Sequence, residues 1–166
     1  MGYYIYFDES NKLDQKSGGY SYYGALGISE ENIEKVLNEL EQIVGSQKEL
    51  HFAEYSSDTY FERYFYSLLY MLAQDIHIHI FAVNNEDAKT MGAHMKVNSK
   101  QLRQIFYVKI PERLFYGIVR KLPEREDVQI ILDENAEYEH PDIALSQNIE
   151  RQMNAHSAYR KIGHRI

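Results

Sequence analysis

The chain opens on an apolar run, Tyr3-Tyr4-Ile5-Tyr6-Phe7, that ends in Asp8-Glu9-Ser10. So short and continuous a β-prone run predicts a strand covered on both faces, at the centre of a sheet. Asn11 to Gly19 is polar, with Asp14, Ser17 and a Gly18-Gly19 pair, and reads as a turn. Tyr20 to Ile28 resumes the β-prone pattern, so an antiparallel hairpin is expected. Ser29 suits a helix N-cap, and Glu30 and Glu31 suit the positive end of the helix dipole. Ile33, Val36, Leu37, Leu40, Ile43 and Val44 then recur at helical spacing, with Gly45 as the stop.

Glu49-Leu50-His51-Phe52 reads as a brief extended piece, and Ser57 or Asp58 caps a second helix. Tyr60, Phe61, Tyr64, Phe65, Leu68, Leu69 and Leu72 form its apolar stripe, which is expected to pack in the core. Ile76 to Val83 alternates, with Ile76, Ile78 and Ile80 on one face and His77, His79 and Phe81 on the other. Asn84 to Met95 fits either a short helix or a loop. Ser99 opens a helical pattern through Leu102, Ile105 and Phe106, which Pro111 is expected to kink or divide before it continues to Leu122. Val128 to Leu132 is a short apolar strand that ends in Asp133-Glu134. Pro141 suits the first turn of a last helix through Ile149 and Met153. Alternating strands and helices in the second half favour an α/β layer structure, with a mixed sheet covered by helices.

At 166 residues, 44% of them apolar, residues 1–166 read as a single domain with its own core. No apolar run reaches membrane-span length and no signal-peptide pattern is present, so a cytoplasmic protein without a membrane association is expected. The absence of cysteine excludes disulfides, thiolate metal sites and a cysteine nucleophile. A formal net charge of -7 argues against coating nucleic acid by charge alone. Yet eight of the 18 basic residues fall between Lys96 and Arg125: Lys96, Lys100, Arg103, Lys109, Arg113, Arg120, Lys121 and Arg125. The acids of that segment are Glu112 and Glu124. It reads either as a solvated helix face or as a strip that contacts phosphate.

The informative repetition is chemical. Phe7-Asp8-Glu9-Ser10 and Leu132-Asp133-Glu134-Asn135 each set an acidic pair at the end of an apolar strand. Side by side, such strands would bring Asp8 and Asp133 together where ligands of open sheets gather. Glu49, beside a third short apolar element, could add another oxygen. Such carboxylates suit Mg²⁺ or Mn²⁺, and paired ions could activate a water and stabilise a phosphodiester's leaving oxygen. Acids also commonly end strands and begin solvated turns, and spacing alone does not separate the two readings.

Ile5-Tyr6-Phe7-Asp8-Glu9-Ser10, the glycine-containing Tyr22-Tyr23-Gly24-Ala25-Leu26-Gly27 and the helix after it resemble the bacterial and phage domain-of-unknown-function family numbered 3800. Glu49-Leu50-His51-Phe52 resembles that family's Glu-x-His element, and Val128 to Asp133 its later strand ending in aspartate. The resemblance covers nearly the whole chain in order. It implies a ribonuclease H-like fold and a two-metal phosphodiesterase site, with Asp8, Glu49 and Asp133 at the family's acidic positions. Glu9, His51 and Glu134 are possible accessory residues beside them. Two features depart from the family. Asn11 stands where glycine often follows the Asp-Glu-Ser triplet, and no Leu-Gln-Leu-Ala-Asp-like segment with a further aspartate precedes Arg165-Ile166. Relative to the family, the chain is thus either C-terminally truncated or short of one carboxylate.

Other candidates are weaker. His77 and His79 could face one metal, but no third ligand is evident. Ser10 lacks a nucleophile elbow, and there is no phosphate-cradling glycine loop or dinucleotide fingerprint. The reading that results is a metal-dependent nuclease in which the Lys96-to-Arg125 segment tracks a nucleic-acid backbone. Its rival is a catalytically inactive binding protein on the same scaffold, directed at a protein or nucleic-acid partner, for example in phage–host conflict.

Overall fold

A computed structural model of the protein describes residues 2–10, 13, 19–45, 58–133 and 144–166. In the opening strand, β1 (Gly2–Ser10), Tyr3, Ile5 and Phe7 are buried, Tyr4 and Tyr6 are half-buried, and Asp8 is exposed. This two-residue alternation gives the strand two different faces. β2 (Tyr20–Ser29) pairs antiparallel with β1, and β3 (His77–Asn84) pairs antiparallel with β2. β4 (Asp127–Leu132) lies parallel to β1 on its other side, and β5 (Gly163–Arg165) lies parallel to β4. The order β3-β2-β1-β4-β5 makes a five-stranded mixed sheet with β1 at its centre. Among the described residues five α-helices pack against it: α1 (Glu30–Val44), α2 (Asp58–Leu72), α3 (Asn85–His94), α4 (Ser99–Val119) and α5 (Leu145–Ser157).

The two faces of the sheet are covered unequally. Tyr3, Ile5, Phe7, Tyr23, Val128 and Ile130 are buried on the α4 side. There Phe7 meets Phe115 edge-on, with ring centroids 5.5 Å apart. Leu145, Ile149 and Met153 of α5 join the same core, and Ala88 brings in α3. Glycine sets how closely α4 approaches: a Cβ on Gly27 of β2 would lie 2.7 Å from both the Ile118 side chain and the Tyr3 hydroxyl. The opposite face carries α1 and α2 and is filled less completely. A cavity of about 180 Å³ remains between Val36, Leu40, Met71, Leu26 and Ile76.

Local signals account for much of this arrangement. Ser29 precedes α1, whose first turn carries Glu30 and Glu31, and Gly45 ends the helix at φ 68°. The ambiguous stretch after β3 is helical because the Asn84 side chain accepts the backbone N–H groups of Glu86 and Asp87. Asn98 and Gln101 form a reciprocal capping box at the start of α4.

One expectation is narrowed and another corrected. α4 runs through Pro111 without division; its ring is buried, and the helix is held by packing on both sides of it. The apolar stripe of α2 is not core: Phe61, Phe65, Leu68 and Leu69 are exposed, and Leu72 is 62% exposed. Periodicity defines a stripe, but burial also needs a surface to receive it, and α2 meets the sheet side chiefly through Tyr64 and Met71, which line a groove rather than a closed core. His77 and His79 share one face of β3, as the alternation predicts. They lie on the α4 side, where the Tyr3 hydroxyl is 2.7 Å from His77 Nδ1 and His79 packs over Gly117. Burial and the nearby Lys121, His77 and Arg120 hold the His79 pKa below the usual histidine range. The brief extended piece at Glu49-Leu50-His51-Phe52, the Ser57 cap and Pro141 lie outside the described residues.

Candidate functional site

The parallel pairing of β1 with β4 builds the candidate site. The register runs from Gly2 opposite Asp127 to Phe7 opposite Leu132. One residue further along each strand stand Asp8 and Asp133, both exposed. Paired residues of adjacent strands share a face, so both carboxylates belong to the face opposite α4. They line one groove of about 980 Å³, whose walls include Tyr6, Leu26, Ile80 and Ile131 of the sheet and Tyr64 and Met71 of α2. The groove is apolar along its length and acidic where the two strands end.

Asp8 is fixed locally. Its Oδ1 accepts the backbone N–H of Glu9 at 2.7 Å. Gly24 stands opposite Asp8 on β2 and also lines the groove. A Cβ placed there would meet nothing nearer than the Asp8 carbonyl oxygen at 3.9 Å, so the missing side chain leaves room in the groove, not in the core.

Strand alternation puts Glu9 on the other side of β1. It is opposite Tyr23, which is buried on the α4 side. Burial, and after it Glu9, push the Tyr23 hydroxyl up to about 12 against the opposing pull of Arg103. Glu49, His51 and Glu134 lie outside the described residues. The Lys96-to-Arg125 segment contains α4 and therefore sits on the face away from Asp8 and Asp133. Within it, Lys109 Nζ is bonded to Glu112 at 2.9 Å, and Arg113 lines a separate groove beside β3. The described lining of the aspartate groove includes no lysine or arginine.

Asp8 and Asp133 are hard oxygen donors on one groove, the donor type that Mg²⁺ or Mn²⁺ takes, with one or two carboxylates and retained waters. Among the described residues, no group of three or more histidines, aspartates or glutamates is gathered to hold a metal. Nor is any helix among them long and apolar enough to cross a membrane.

The groove walls went unnoticed in the sequence, although a signal was present. Counting by twos from Asp8 through Tyr6, and from Gly24 through Leu26, picks out the residues that share its face. Neither a family model nor a curated protein sequence matches the chain.

Proposed function

We propose that the protein is a divalent-metal-dependent phosphodiesterase acting on nucleic acid, with the ribonuclease H-like architecture that the resemblance implies. The observation that carries this reading is the register of β1 and β4, which sets Asp8 and Asp133 side by side at the carboxyl ends of adjacent strands. The sheet order supports the architecture. Asp8 and Asp133 are the proposed ligands for Mg²⁺ or Mn²⁺, and Glu49 is the third that the resemblance supplies. When bound, such an ion lowers the pKa of a coordinated water and offsets charge on a phosphodiester. The Glu9 N–H orients the Asp8 carboxylate. Gly24 leaves space for substrate next to Asp8. Glu9 is not assigned to the site, because it faces Tyr23.

A non-catalytic binding protein is the second reading. The cation-free described lining of the groove favours it, since phosphate-backbone binding usually recruits lysine and arginine. Calorimetric titration with Mn²⁺ separates the two. The enzyme reading expects binding to wild type that weakens at least about tenfold in Asp8→Asn and Asp133→Asn, together with loss of metal-dependent cleavage of DNA or RNA. Cleavage that survives Asp8→Asn unchanged would refute the assignment. A folded wild-type protein that gives no heat with Mn²⁺ would favour the binding reading.

A further inference from the structure

The two edges of the sheet are built differently. β5 is three residues long, and its Arg165 is ion-paired with Asp127 of β4. Short, charged edges resist further pairing. β3 is eight residues long and contains no lysine, arginine, acid or proline. Its register with β2 is unbroken from Tyr20 opposite Asn84 to Gly27 opposite His77, so no bulge turns the strand aside. Among the described residues no strand pairs with its outer edge. Ile80 is 70% exposed and Phe81 49% exposed. A long, straight, uncharged edge of this kind presents a row of N–H and C=O groups ready to pair.

Apolar surface continues from this edge on both sides. On the α4 side, a groove of about 470 Å³ sets Phe81 beside exposed Met91 and Ile105. On the other side, Ile80 belongs to the wall of the aspartate groove. The two ends of the strand differ in charge. Arg120 and Lys121 are close enough to His79 to act on it, whereas Glu86 and Asp87 follow directly after Asn84.

We infer that this edge is a docking surface for a second copy of the chain, β3 against β3, antiparallel and about a two-fold axis perpendicular to the sheet. Self-pairing of a strand without formal charges sets no like charges opposite one another. The antiparallel sense brings the Arg120 and Lys121 end of one copy toward the Glu86 and Asp87 end of the other. The axis preserves faces, so one residue near the strand centre pairs with itself: Ile80 or Phe81. With Phe81 on the axis, the Phe81–Met91–Ile105 surfaces of the two copies meet, covering side chains that are exposed in one chain alone. The interface is isologous, as a two-fold requires. It does not depend on metal binding or catalysis.

The chain's lack of cysteine makes the test direct. Opposed Cα atoms in an antiparallel pair lie about 4.5–5.5 Å apart, within disulfide reach. Ile80→Cys and Phe81→Cys are oxidised alongside Leu37→Cys, an exposed control on α1. One of the first two is expected to form a covalent dimer rapidly, with the control remaining a monomer. Wild type is expected to sediment at twice the 19.6 kDa chain mass. Ile80→Lys, checked for fold by circular dichroism, is expected to weaken the dimer at least about tenfold by setting like charges across the axis. A wild-type monomer up to about 100 µM would overturn the proposal and leave the edge to an extended peptide of another protein. So would a dimer in which neither cysteine cross-links faster than the control. The cysteine readout decides the matter even if Ile80→Lys fails to fold.

Discussion

Asp8 and Glu9 are neighbours in the chain, yet one faces an open groove and the other faces buried Tyr23. The same parity separates two glycines of β2. Gly27 is pressed between Ile118 and Tyr3, whereas Gly24 opens into the groove. Gly27→Ala is therefore expected to destabilise the fold by about 1–3 kcal/mol, since buried side chains must move to admit a methyl group. Gly24→Ala is expected to be neutral or stabilising by up to about 1 kcal/mol, because it removes unfolded-state freedom without a clash. Urea denaturation of both variants checks the pair, and equal losses would show that the two faces do not differ in packing. Alternation made this difference readable once the more tightly covered face was known. The sequence did not reveal which face that was, because Tyr4 and Tyr6 are as β-prone and nearly as apolar as Tyr3 and Ile5.

Among the elements, those carrying their own punctuation were legible. The acids of α1 and its terminal Gly45, the two faces of β3, and the matching ends of β1 and β4 all followed from local chemistry. β5 was not foreseen, because three residues, Gly163-His164-Arg165, show no periodicity. Its placement rests on distant partners: the Asn154 side chain of α5 accepts the His164 N–H at 2.8 Å and donates to the His164 carbonyl at 3.2 Å. The end of α4 is likewise held from afar. Arg160 donates to the carbonyls of Val119 at 3.2 Å and Arg120 at 3.0 Å, and also to that of Leu122. The Val119 carbonyl also accepts the Leu122 N–H at 3.0 Å, and the negative end of the helix dipole makes a cation favourable there. Arg160→Ala should cost about 1–3 kcal/mol, and Arg160→Lys should restore only part of it because an ammonium lacks the guanidinium fork. A thermal melt that leaves the midpoint of Arg160→Ala unchanged would refute this role. The basic segment illustrates the reverse limit. Its charge could be counted in the sequence, but its location opposite the aspartates follows from α4 packing over Phe7.

At the scale of the whole molecule, stability is tied to a buried histidine. His164 is 2% exposed, and its Nε2 has no hydrogen-bond partner among the described residues. Burial lowers its pKa to about 4, despite the opposing pull of Asp127. Between about 6.5 and about 4, the unfolded chain takes up a proton that the folded chain refuses. Folding stability therefore falls as pH drops through that window, by about 2 kcal/mol at pH 5 relative to pH 7. His164→Phe removes the titrating group and should flatten this part of the profile. Denaturant titrations at pH 7 and pH 5 would measure it, and parallel losses in wild type and variant would exclude His164 as the cause.

The central place of β1 has a consequence for how the protein is made. β1 leaves the ribosome before either of its neighbours: β2 follows almost at once, and β4 emerges only after α1, α2, α3 and α4. The β1–β2–β3 meander can form early, but one edge of its Tyr3-to-Phe7 strand stays open until β4 has emerged. Non-local parallel pairing is slow, and an open apolar edge invites misassembly while it waits. Asp8 and Asp133 are brought together only when residues 127–132 close that edge. The aspartate pair is thus a late product of folding, and a nascent chain cannot present both carboxylates in one groove before its sheet is nearly complete.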